Sequence, residues 1–284
     1  MPEELQASAL GDVEHTALLT IFCHAIESRS PAPILRDPLA EELAGRLTPA
    51  LAASPNPLAR RLARGELRAP MVVYITLRAR QFDAYARDFA ARHPGAAVVN
   101  LGCGLDTRFS RIDDGALRVV DVDLPTMIGL KRQLIAEEER YQMIASSVLD
   151  HGWMDAIEGP AIFLAEGLFM YLPEDGVRAL VLALARRFPG SELVFETFNA
   201  RWLTGWRGRV TRRKLQDKLK LGAGATFQFG IEDGAALEAW DPRLRYLGEW
   251  IFLDEDEPKL GALRLFRRWD WFRHTQWTVR YALG

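Results

Sequence analysis

The chain has 284 residues, enough for one large domain or two small ones. Its apolar content of 49%, charged content of 26% and formal net charge of -2 are typical of a soluble globular protein and give no overall attraction to nucleic acid or an anionic membrane. Two cysteines make no disulfide framework, no apolar run could span a bilayer, and the first residues lack a signal-peptide pattern. We therefore expect a cytoplasmic protein without a membrane or nucleic-acid partner.

The N-terminal third is predicted to be helical. Apolar residues recur at helical spacing in Asp12–Arg29, and Asp37 followed by Pro38 starts a second helix that runs through Leu43. A loop is predicted at Ser54–Pro57, and a long helix at Met71–Arg92.

From Ala96 onward, strand and helix patterns alternate. The predicted strands are Ala97–Leu101, Arg118–Asp123, Tyr141–Ala145, Ala161–Ala165, Glu192–Glu196, Arg245–Phe252 and Gln276–Ala282. The predicted helices between them are Thr107–Ile112, Pro125–Arg140, Asp175–Phe188 and Glu232–Trp240. This alternation predicts an α/β fold with a mostly parallel sheet covered on both faces. No long crossover helix precedes the last strand, which allows it to run antiparallel.

The first strand ends in a glycine turn within the sequence VVNLGCGLDTR, residues 98–108. Gly102 and Gly104 suit a backbone that turns sharply or passes close to a ligand. Asp106 and Thr107 are good capping residues for a following helix. Such a strand–turn–helix unit is where α/β sheets bind nucleotides. A glycine turn without a ligand is the alternative.

Two acids at the end of the second strand strengthen the nucleotide interpretation. Asp121 and Asp123 are two positions apart and therefore face the same side of the strand. An acid at this point is placed to accept hydrogen bonds from the ribose hydroxyls of a nucleoside.

The residues of the turn favour a cationic ligand over a dinucleotide. Thr107 stands where a dinucleotide fingerprint has its third glycine. Leu105 and Asp106 place bulk and negative charge where a pyrophosphate would lie. S-adenosylmethionine carries a sulfonium and an ammonium group, so the turn favours a methyltransferase over a dehydrogenase.

One segment interrupts the alternation. Arg201–Lys220 contains five arginines and three lysines against the single acid Asp217. Such a run is either a solvated helix face or part of a lid over an acceptor pocket, with contact to nucleic acid as a weaker alternative.

Three motifs in order, NLGCGLDTR, VDVDLP and AEGLFMYLP, resemble the leucine carboxyl methyltransferase family, in particular its bacterial branch with O-methyltransferases of polyketide pathways. The upstream DPLA and RxRxFD elements also match. The resemblance implies a class I S-adenosylmethionine-dependent methyltransferase with a Rossmann-like, seven-stranded sheet. It implies an N-terminal helical lid region at residues 1–95, a core at residues 96–284 and a lid insert at about 199–230.

The resemblance assigns roles to individual residues of the methionine end. Arg78 would hold the methionine carboxylate by a charge-assisted hydrogen bond. Glu166, with Gly167, would lie near the methionine amino group. Tyr171 would lie near the transferred methyl group, so Tyr171 and Arg78 are the catalytic candidates.

At the nucleoside end, the resemblance assigns the ribose to Asp123, with Asp121 as second choice, and the adenine to Ser147 and Val148. The remaining cofactor-binding positions follow from the matched motifs: Asn100, Gly102, Gly104, Asp106 and Leu124. The chain departs from the family in the first helix, where many members have a basic residue and this chain has His24.

Methyl transfer is an in-line displacement, for which the protein supplies position and electrostatics. A carboxylic acid with a pKa of roughly 4 is already ionised at neutral pH, whereas a phenol, near 10, needs a base. None of the five histidines lies in a recognisable catalytic pattern. The absence of a convincing base favours a carboxylate acceptor, followed by a phenol or enol.

We therefore expect an O-methyltransferase acting on a small organic acid or polyketide-like metabolite. Three alternatives stay open: a protein C-terminal carboxyl methyltransferase, a dinucleotide-dependent oxidoreductase and an inactive nucleoside-binding regulator.

Overall fold

The computed structural model describes residues 12–202 and 227–284. The α-helices are α1 (Asp12–Ser28), α2 (Pro38–Ala53), α3 (Pro57–Ala63), α4 (Ala69–Arg92), α5 (Arg108–Ile112), α6 (Pro125–Leu134), α7 (Glu174–Arg187) and α8 (Asp270–Arg273). The strands are β1 (Ala97–Leu101), β2 (Arg118–Asp123), β3 (Tyr141–Ala145), β4 (Ala161–Ala165), β5 (Ser191–Phe198), β6 (Leu244–Trp250) and β7 (Gln276–Leu283). In these two stretches no helix is long and apolar enough to cross a membrane. Most of the predicted lid insert lies outside the described residues.

The seven strands form one sheet in the order β3-β2-β1-β4-β5-β7-β6. Strands β1 to β5 pair in parallel, whereas β7 runs antiparallel to both β5 and β6. The predicted α/β architecture with an antiparallel last strand is confirmed. Because β1 to β5 point the same way, their carboxyl ends meet along one edge of the sheet, where ligands bind in open α/β folds.

Helices cover both faces of the sheet. On one face, Val99, Phe163 and Phe195 pack with apolar residues of α7. On the other face, Val98 and Val194 pack with apolar residues of α4. Both faces are apolar, which explains why β4 is a continuous apolar run and β1 is interrupted only by Asn100, rather than alternating.

The first three helices form a separate apolar cluster with one face of α6. Helix α2 begins as predicted: Asp37 Oδ1 accepts a hydrogen bond from the Ala40 amide at 3.0 Å, and Pro38 occupies the first turn. Helix α1 packs on α2 and α4, and α4 packs on the sheet. The N-terminal helices are therefore anchored next to the ligand-binding edge.

The predicted helix Glu232–Trp240 is wrong, because the structure has only a short 3-10 turn at Ala236–Ala239. The hydroxyl of Tyr281 donates to the Gly234 carbonyl and accepts from the Leu237 amide. These contacts from β7 engage backbone groups that a helix would pair internally, so tertiary structure overrides the local pattern.

Other helix boundaries also differ from the prediction. Helix α6 ends at Leu134 rather than Arg140, because the following residues turn into a short antiparallel bridge to Tyr141. Helix α2 continues through Pro49 to its end at Ala53.

The loop predicted at Ser54–Pro57 is shorter than expected. Helix α3 begins at Pro57, within the predicted loop, because the Asn56 side chain caps its first turn.

Candidate active site

The glycine turn after β1 has the backbone that its sequence predicts. Gly102 and Gly104 have φ values of 63° and 51°, which favour glycine. A Cβ on Gly102 would lie 2.7 Å from Leu168 Cδ1, and one on Gly104 would lie 3.2 Å from Ala17 Cβ. Helix α1, which carries Ala17, therefore lies directly over the turn.

Asp123 lies at the carboxyl end of β2, facing the glycine turn. Its carboxylate accepts hydrogen bonds from the Gly104 amide and the Leu124 amide, both at 2.7 Å. Burial raises the pKa of Asp123 against these hydrogen bonds. The adjacent Leu124 side chain is 44% exposed, an uncovered apolar surface beside the acid. This arrangement suits a sugar bound by the carboxylate and packed on an apolar side chain.

Asp121 has a different environment from Asp123. Its carboxylate accepts hydrogen bonds from Asn100 Nδ2, Lys131 Nζ and Tyr141 Oη, each at 2.6 Å, and it is fully buried. These partners belong to the core, so the side chains of Asp121 and Asn100 are committed to the protein. The ribose proposal therefore rests on Asp123 alone.

The predicted adenine pair follows β3. Ser147 is half-buried, and its hydroxyl accepts a hydrogen bond from the Leu149 amide at 3.3 Å. Val148 is buried, with its carbonyl bound by Trp153 Nε1 at 3.1 Å. The preceding Ser146 amide donates to the Asp123 carbonyl at 2.9 Å. The structure thus places the pair next to the ribose candidate.

The other end of the edge is held together by ion pairs around Arg78 of α4. Arg78 Nε donates to Glu166 Oε1 at 2.8 Å, and Arg78 Nη1 donates to Glu196 Oε2 at 2.9 Å. Gly167, at φ 65°, lies against this pair: a Cβ there would be 3.7 Å from the Arg78 nitrogens. The structure brings Arg78, Glu166 and Gly167 together.

Two further arginines extend this network. Arg108 binds Asp83, Asp106 and Glu166, with closest distances of 2.9, 2.8 and 2.5 Å. Arg111 binds Asp83, Asp106 and Asp37, at 2.7, 3.0 and 2.9 Å.

We call this network the arginine cluster; its members are Arg78, Arg108, Arg111, Asp37, Asp83, Asp106, Glu166 and Glu196.

The charges of the arginine cluster do not cancel. It contains five carboxyl groups against three guanidinium groups, but burial raises the pKa of Glu196 to about 8, so at pH 7 four carboxylates face three guanidinium groups, an excess of one negative charge. Burial opposes ionisation of Asp106 and Glu166, but the neighbouring arginines outweigh it and lower the pKa of both carboxyls. The cluster therefore stays anionic and favours a cationic ligand.

Asp106 and Thr107 do not cap α5 as the sequence predicts. The Thr107 hydroxyl donates to Asp37 Oδ2 at 2.5 Å instead of capping the helix. His24 Nδ1 contacts the same Asp37 oxygen at 2.9 Å, and His24 Nε2 is buried without a partner among the residues described. The atypical His24 thus ties α1 to the start of α2.

Tyr171 lies on an aromatic patch after β4. Its ring stacks on Phe227 with ring centroids 5.3 Å apart, and Phe198 packs against Phe227 at 4.7 Å. Burial raises the pKa of Tyr171, and the nearby charge of Arg78 opposes that rise. The structure therefore places Tyr171 between the arginine cluster and an apolar surface.

Sequence reasoning assigned no role to Asp83, Arg108, Arg111 or Glu196. Asp83 and Arg108 belong to the matched motifs, but a charged residue in a motif does not by itself reveal its partners. A usable signal was present in β5, where Glu196 follows the apolar run Leu193–Phe195 in a fully buried strand. A buried acid in such a position needs a partner.

Known proteins resemble this chain in sequence and in fold. Residues 17–185 match the family model described as leucine carboxyl methyltransferase. The chain is 33% identical over 263 residues to the tetracenomycin polyketide synthesis O-methyltransferase TcmP of Streptomyces glaucescens, covering 92% of this chain and 90% of that protein. It is 28% identical over 280 residues to the S-adenosyl-L-methionine-dependent methyltransferase dpfgK of Gibberella zeae, covering 93% and 91%.

Among solved structures, a DUF574 family protein from Streptomyces avermitilis superimposes with a TM-score of 0.56 at 13% identity, over 85% of this chain and 97% of that one. This likeness concerns the fold only. The family model matches more than half of the chain, and the similarity to TcmP extends over nearly all of it. The chain therefore belongs to the leucine carboxyl methyltransferase family.

Proposed function

We propose that this protein is an S-adenosylmethionine-dependent O-methyltransferase acting on a small organic acid or polyketide-like metabolite. The observation that carries the proposal is the order of groups along the sheet edge. Ser147 follows β3, Asp123 ends β2, the glycine turn follows β1, and Glu166 follows β4. Adenine, ribose and methionine would lie in that order across neighbouring strands. The similarity to TcmP supports an oxygen acceptor in a polyketide-type compound.

The electrostatics of the edge support the cofactor. S-adenosylmethionine carries two positive groups and one carboxylate, a net charge of one, and at pH 7 the arginine cluster has one more carboxylate than guanidinium groups. Glu166 would receive the ammonium group, while Arg78 would present a nitrogen to the carboxylate. Cofactor binding would thus neutralise the cluster's excess negative charge.

The reaction forms a bond between the acceptor oxygen and the methyl carbon and breaks the bond from that carbon to sulfur. The cofactor supplies the reactive sulfonium group. The protein holds its two ends at Asp123 and Glu166, so the methyl group is presented between them. Tyr171 and its aromatic neighbours would cover the reacting centre and exclude water. The helices of residues 1–95 and the insert at about 199–230 would form the lid that selects the acceptor.

Calorimetry tests the cofactor part of the proposal. S-adenosylhomocysteine should bind with one molecule per chain, and NAD should not bind. Arg78→Ala should weaken binding by about 2–5 kcal/mol, and Arg78→Lys should recover only part of the loss because the planar guanidinium is absent. Arg80→Ala is the matched control, since Arg80 lies on the same helix but binds Glu255 and is 41% exposed. Equal affinity in Arg78→Ala and the parent would remove Arg78 from the site.

A screen with labelled methyl donor tests the acceptor. Small aromatic carboxylic acids and phenols should accept the label, and peptides ending in a free carboxylate should not. Labelling of such peptides alone would instead favour the protein C-terminal carboxyl methyltransferase.

A further inference from the structure

Glu196 lies at the sheet edge on the side of Glu166 away from Asp123. Ala165 of β4 pairs with Phe195 of β5, so the next residues, Glu166 and Glu196, end at the same level on neighbouring strands. The side chain of Glu196 is 1% exposed. With the methionine end of the cofactor at β4, Glu196 lies one strand further from the nucleoside.

An aromatic surface adjoins Glu196 on the same strand. Phe198 comes two positions later and therefore projects from the same face of β5. Its ring packs on Phe227, which stacks on Tyr171, with centroids 4.7 and 5.3 Å apart. Such a surface suits the ring of an aromatic acceptor, and the polar group of that acceptor would then lie beside Glu196.

Four groups donate hydrogen bonds to Glu196 when its carboxylate is ionised. They are Arg78 Nη1 at 2.9 Å, Gln276 Nε2 at 2.6 Å, the Gly167 amide and the Tyr74 hydroxyl. A guanidinium, a carboxamide nitrogen and a backbone amide can only donate. Of these four partners, therefore, only Tyr74 can accept a hydrogen bond from Glu196 when its carboxyl carries a proton.

The protonation state of Glu196 decides where the Tyr74 hydroxyl directs its proton. A tyrosine hydroxyl has a single proton to donate. While Glu196 is ionised, that proton is held by the Glu196 carboxylate. When Glu196 carries a proton of its own, it donates to Tyr74 Oη, and the Tyr74 proton is released to bind a second acceptor.

Tyr74 reaches the more open side of the site. It is only half-buried, unlike Glu196, and it lies on α4 one turn before Arg78. Its ring packs edge-to-face on Phe252 with centroids 4.8 Å apart, and the Arg78 guanidinium lies 5.5 Å from the ring centroid. These contacts hold the ring in place, so the hydroxyl is fixed beside the buried carboxyl.

Glu196 is mostly neutral at pH 7. Burial raises the pKa of Glu196 to about 8, against the hydrogen bonds from Gln276 and Gly167. The positive charge that contacts it, Arg78, is shared with Glu166 and so compensates only part of the burial cost. With Glu196 neutral, the single excess negative charge of the arginine cluster is offset by the cofactor, and an anionic acceptor meets no net repulsion.

We propose that the Tyr74 hydroxyl binds the carboxylate of an organic acid acceptor, and that neutral Glu196 turns this hydroxyl toward the acceptor. This inference rests on the proposed methyltransferase function and assigns groups that bind its acceptor. Tyr74 contacts the acceptor, whereas Glu196 is a positioning residue. A carboxylate oxygen forms its bond to the methyl carbon as the carbon–sulfur bond breaks, and the electron pair of that bond goes to sulfur. No proton moves, because the acid enters already ionised.

Ionisation of Glu196 should weaken acceptor binding in two ways. The Tyr74 proton returns to Glu196, and the new negative charge repels the acceptor carboxylate. Each pH unit above the pKa reduces the protonated fraction about tenfold. Affinity for an organic acid should therefore be full below pH 8 and fall as the pH rises further.

The charged side chains near Glu196 among the described residues do not produce the same change. Arg78 keeps its charge at every pH of interest. Glu166 lies on the other side of Arg78, and the neighbouring arginines lower its pKa. The side chain from β7, Gln276, does not titrate. Of the two carboxyl groups that Arg78 binds, Glu196 is therefore the one that titrates near pH 8.

The dissociation constant of 2-naphthoic acid from the S-adenosylhomocysteine complex, measured by calorimetry from pH 6.5 to 9.5, tests the inference. A carboxylic acid with a pKa of roughly 4 is ionised throughout this range, so a change in affinity reports a group of the complex. The parent is compared with Tyr74→Phe and Glu196→Gln.

Tyr85→Phe and Glu192→Gln are the matched controls. Tyr85 is a half-buried tyrosine on the same helix. Glu192 is a buried glutamate on the same strand, bound by Arg92 and Arg280. Both controls should keep the affinity and the pH profile of the parent.

The parent should lose affinity for 2-naphthoic acid about tenfold per pH unit above pH 8. Glu196→Gln keeps the size and neutrality of the protonated side chain, and its amide can donate to Tyr74 Oη. Its affinity at pH 7 should stay close to that of the parent and should not fall up to pH 9.5. Tyr74→Phe should bind the acid roughly 10–100-fold more weakly at pH 7, because a charge-assisted hydrogen bond is lost, and should still bind S-adenosylhomocysteine.

The amino group of the cofactor product is a second group that titrates near pH 8. If it caused the loss of affinity, Glu196→Gln would lose affinity with rising pH as the parent does, and the inference would be overturned. If Glu196→Gln does not fold, Tyr74→Phe decides the question.

The remaining outcomes separate this inference from the proposed function. A parent affinity that is independent of pH, an unchanged affinity in Tyr74→Phe, or no binding of 2-naphthoic acid to the parent would overturn the inference and leave the methyltransferase intact. A parent that binds no S-adenosylhomocysteine would overturn the proposed function itself.

Discussion

The two ends of the ligand-binding edge are built in opposite ways. At the nucleoside end, one carboxylate, Asp123, is held by two backbone amides and has an exposed leucine beside it. At the methionine end, the arginine cluster joins charged side chains from α4, from the residues around α5, from the start of α2 and from the ends of β4 and β5. The first end depends on backbone position, and the second on mutual charge pairing.

Because of this difference, cofactor binding and fold stability depend on separate groups at the nucleoside end, whereas they depend on the same groups at the methionine end. Backbone amides keep their place when a side chain changes, so Asp123 can be altered with little effect on the fold. In the arginine cluster, removing one buried charge leaves its partners without compensation, which is strongly destabilising. The cluster also joins the N-terminal helices to one another, because Asp37 at the start of α2 and Asp83 of α4 both bind Arg111 of α5.

The largest expected effect comes from Asp83→Asn. Asp83 is buried and pairs with both Arg108 and Arg111, so the change leaves two buried guanidinium groups short of a charge. We expect a loss of about 3–5 kcal/mol in the free energy of unfolding, measured by urea denaturation. Asp88→Asn on the same helix is the control. Asp88 is 51% exposed in its pairs with Arg92 and Arg280, so less than about 1 kcal/mol should be lost.

A loss in Asp83→Asn no larger than in Asp88→Asn would contradict the contrast between the two ends. It would mean that water or rearrangement replaces the missing charge, and that the cluster does not hold the N-terminal helices.

The comparison of Asp123 with Asp121 sharpens the contrast within one strand. Asp123→Asn should weaken S-adenosylhomocysteine binding by about 1.5–3 kcal/mol, because a charged acceptor for the ribose is lost. Its stability should fall only slightly, because one of the two backbone amides loses its acceptor when a carboxylate oxygen is replaced by an amide nitrogen. The folded-state pKa of Asp123 is raised by burial, so its ionisation reduces stability as pH rises, and the neutral amide avoids that cost.

Asp121→Asn should show the opposite pattern. It leaves Lys131 buried without its counter-ion, so the free energy of unfolding should drop while affinity, measured well below the melting temperature, changes little. Calorimetry and urea denaturation on both variants distinguish the two residues. An equal affinity loss in both variants would place Asp121 in the ribose site after all.

The contrast also explains how much of the site the sequence could predict. The nucleoside end depends on features that are local in sequence: a glycine turn, an acid that ends a strand and the residue after it. Gly102, Gly104 and Asp123 could therefore be placed from their spacing, and the structure puts them together. The mostly parallel sheet could be predicted in the same way, because strand and helix patterns alternate along the chain.

The pairing within the arginine cluster could not be predicted, because most of its ion pairs join residues far apart in the chain. Arg108 and Asp83 are 25 positions apart, and Arg78 and Glu196 are 118 apart. Asp121 shows the same limit: its spacing from Asp123 predicts a shared face, but only the packed structure shows Lys131 and Tyr141 closing over it. Periodicity reveals which face a residue occupies and not which partner meets it there.

The smallest expected difference, that of a helix cap, concerns Asp37, where a local and a long-range role meet in one side chain. Burial opposes its ionisation, but the hydrogen bond from His24 and the charge of Arg111 outweigh burial and lower the pKa of Asp37 to about 2. Because this pKa lies below the unfolded value of about 3.9, the ionised side chain stabilises the fold above pH 4 and loses that contribution as pH falls toward 2. Asp37→Asn removes the charge but keeps a good capping residue.

The advantage of the parent over Asp37→Asn should therefore be about 2–3 kcal/mol at pH 5, and about half of it should be lost by pH 3. Asp37→Ala removes the cap as well, so it should be less stable than Asp37→Asn by about 1 kcal/mol, because the Ala40 amide loses its acceptor. This second difference should stay constant with pH, since neither substituted side chain titrates. Urea denaturation of the three proteins at both pH values measures the charge and the cap separately. The contrary result would be a stability difference between Asp37→Ala and Asp37→Asn that changes with pH as much as the parent's advantage does. In that case the helix cap and the ion pairs of Asp37 would be one coupled interaction and not two separate ones.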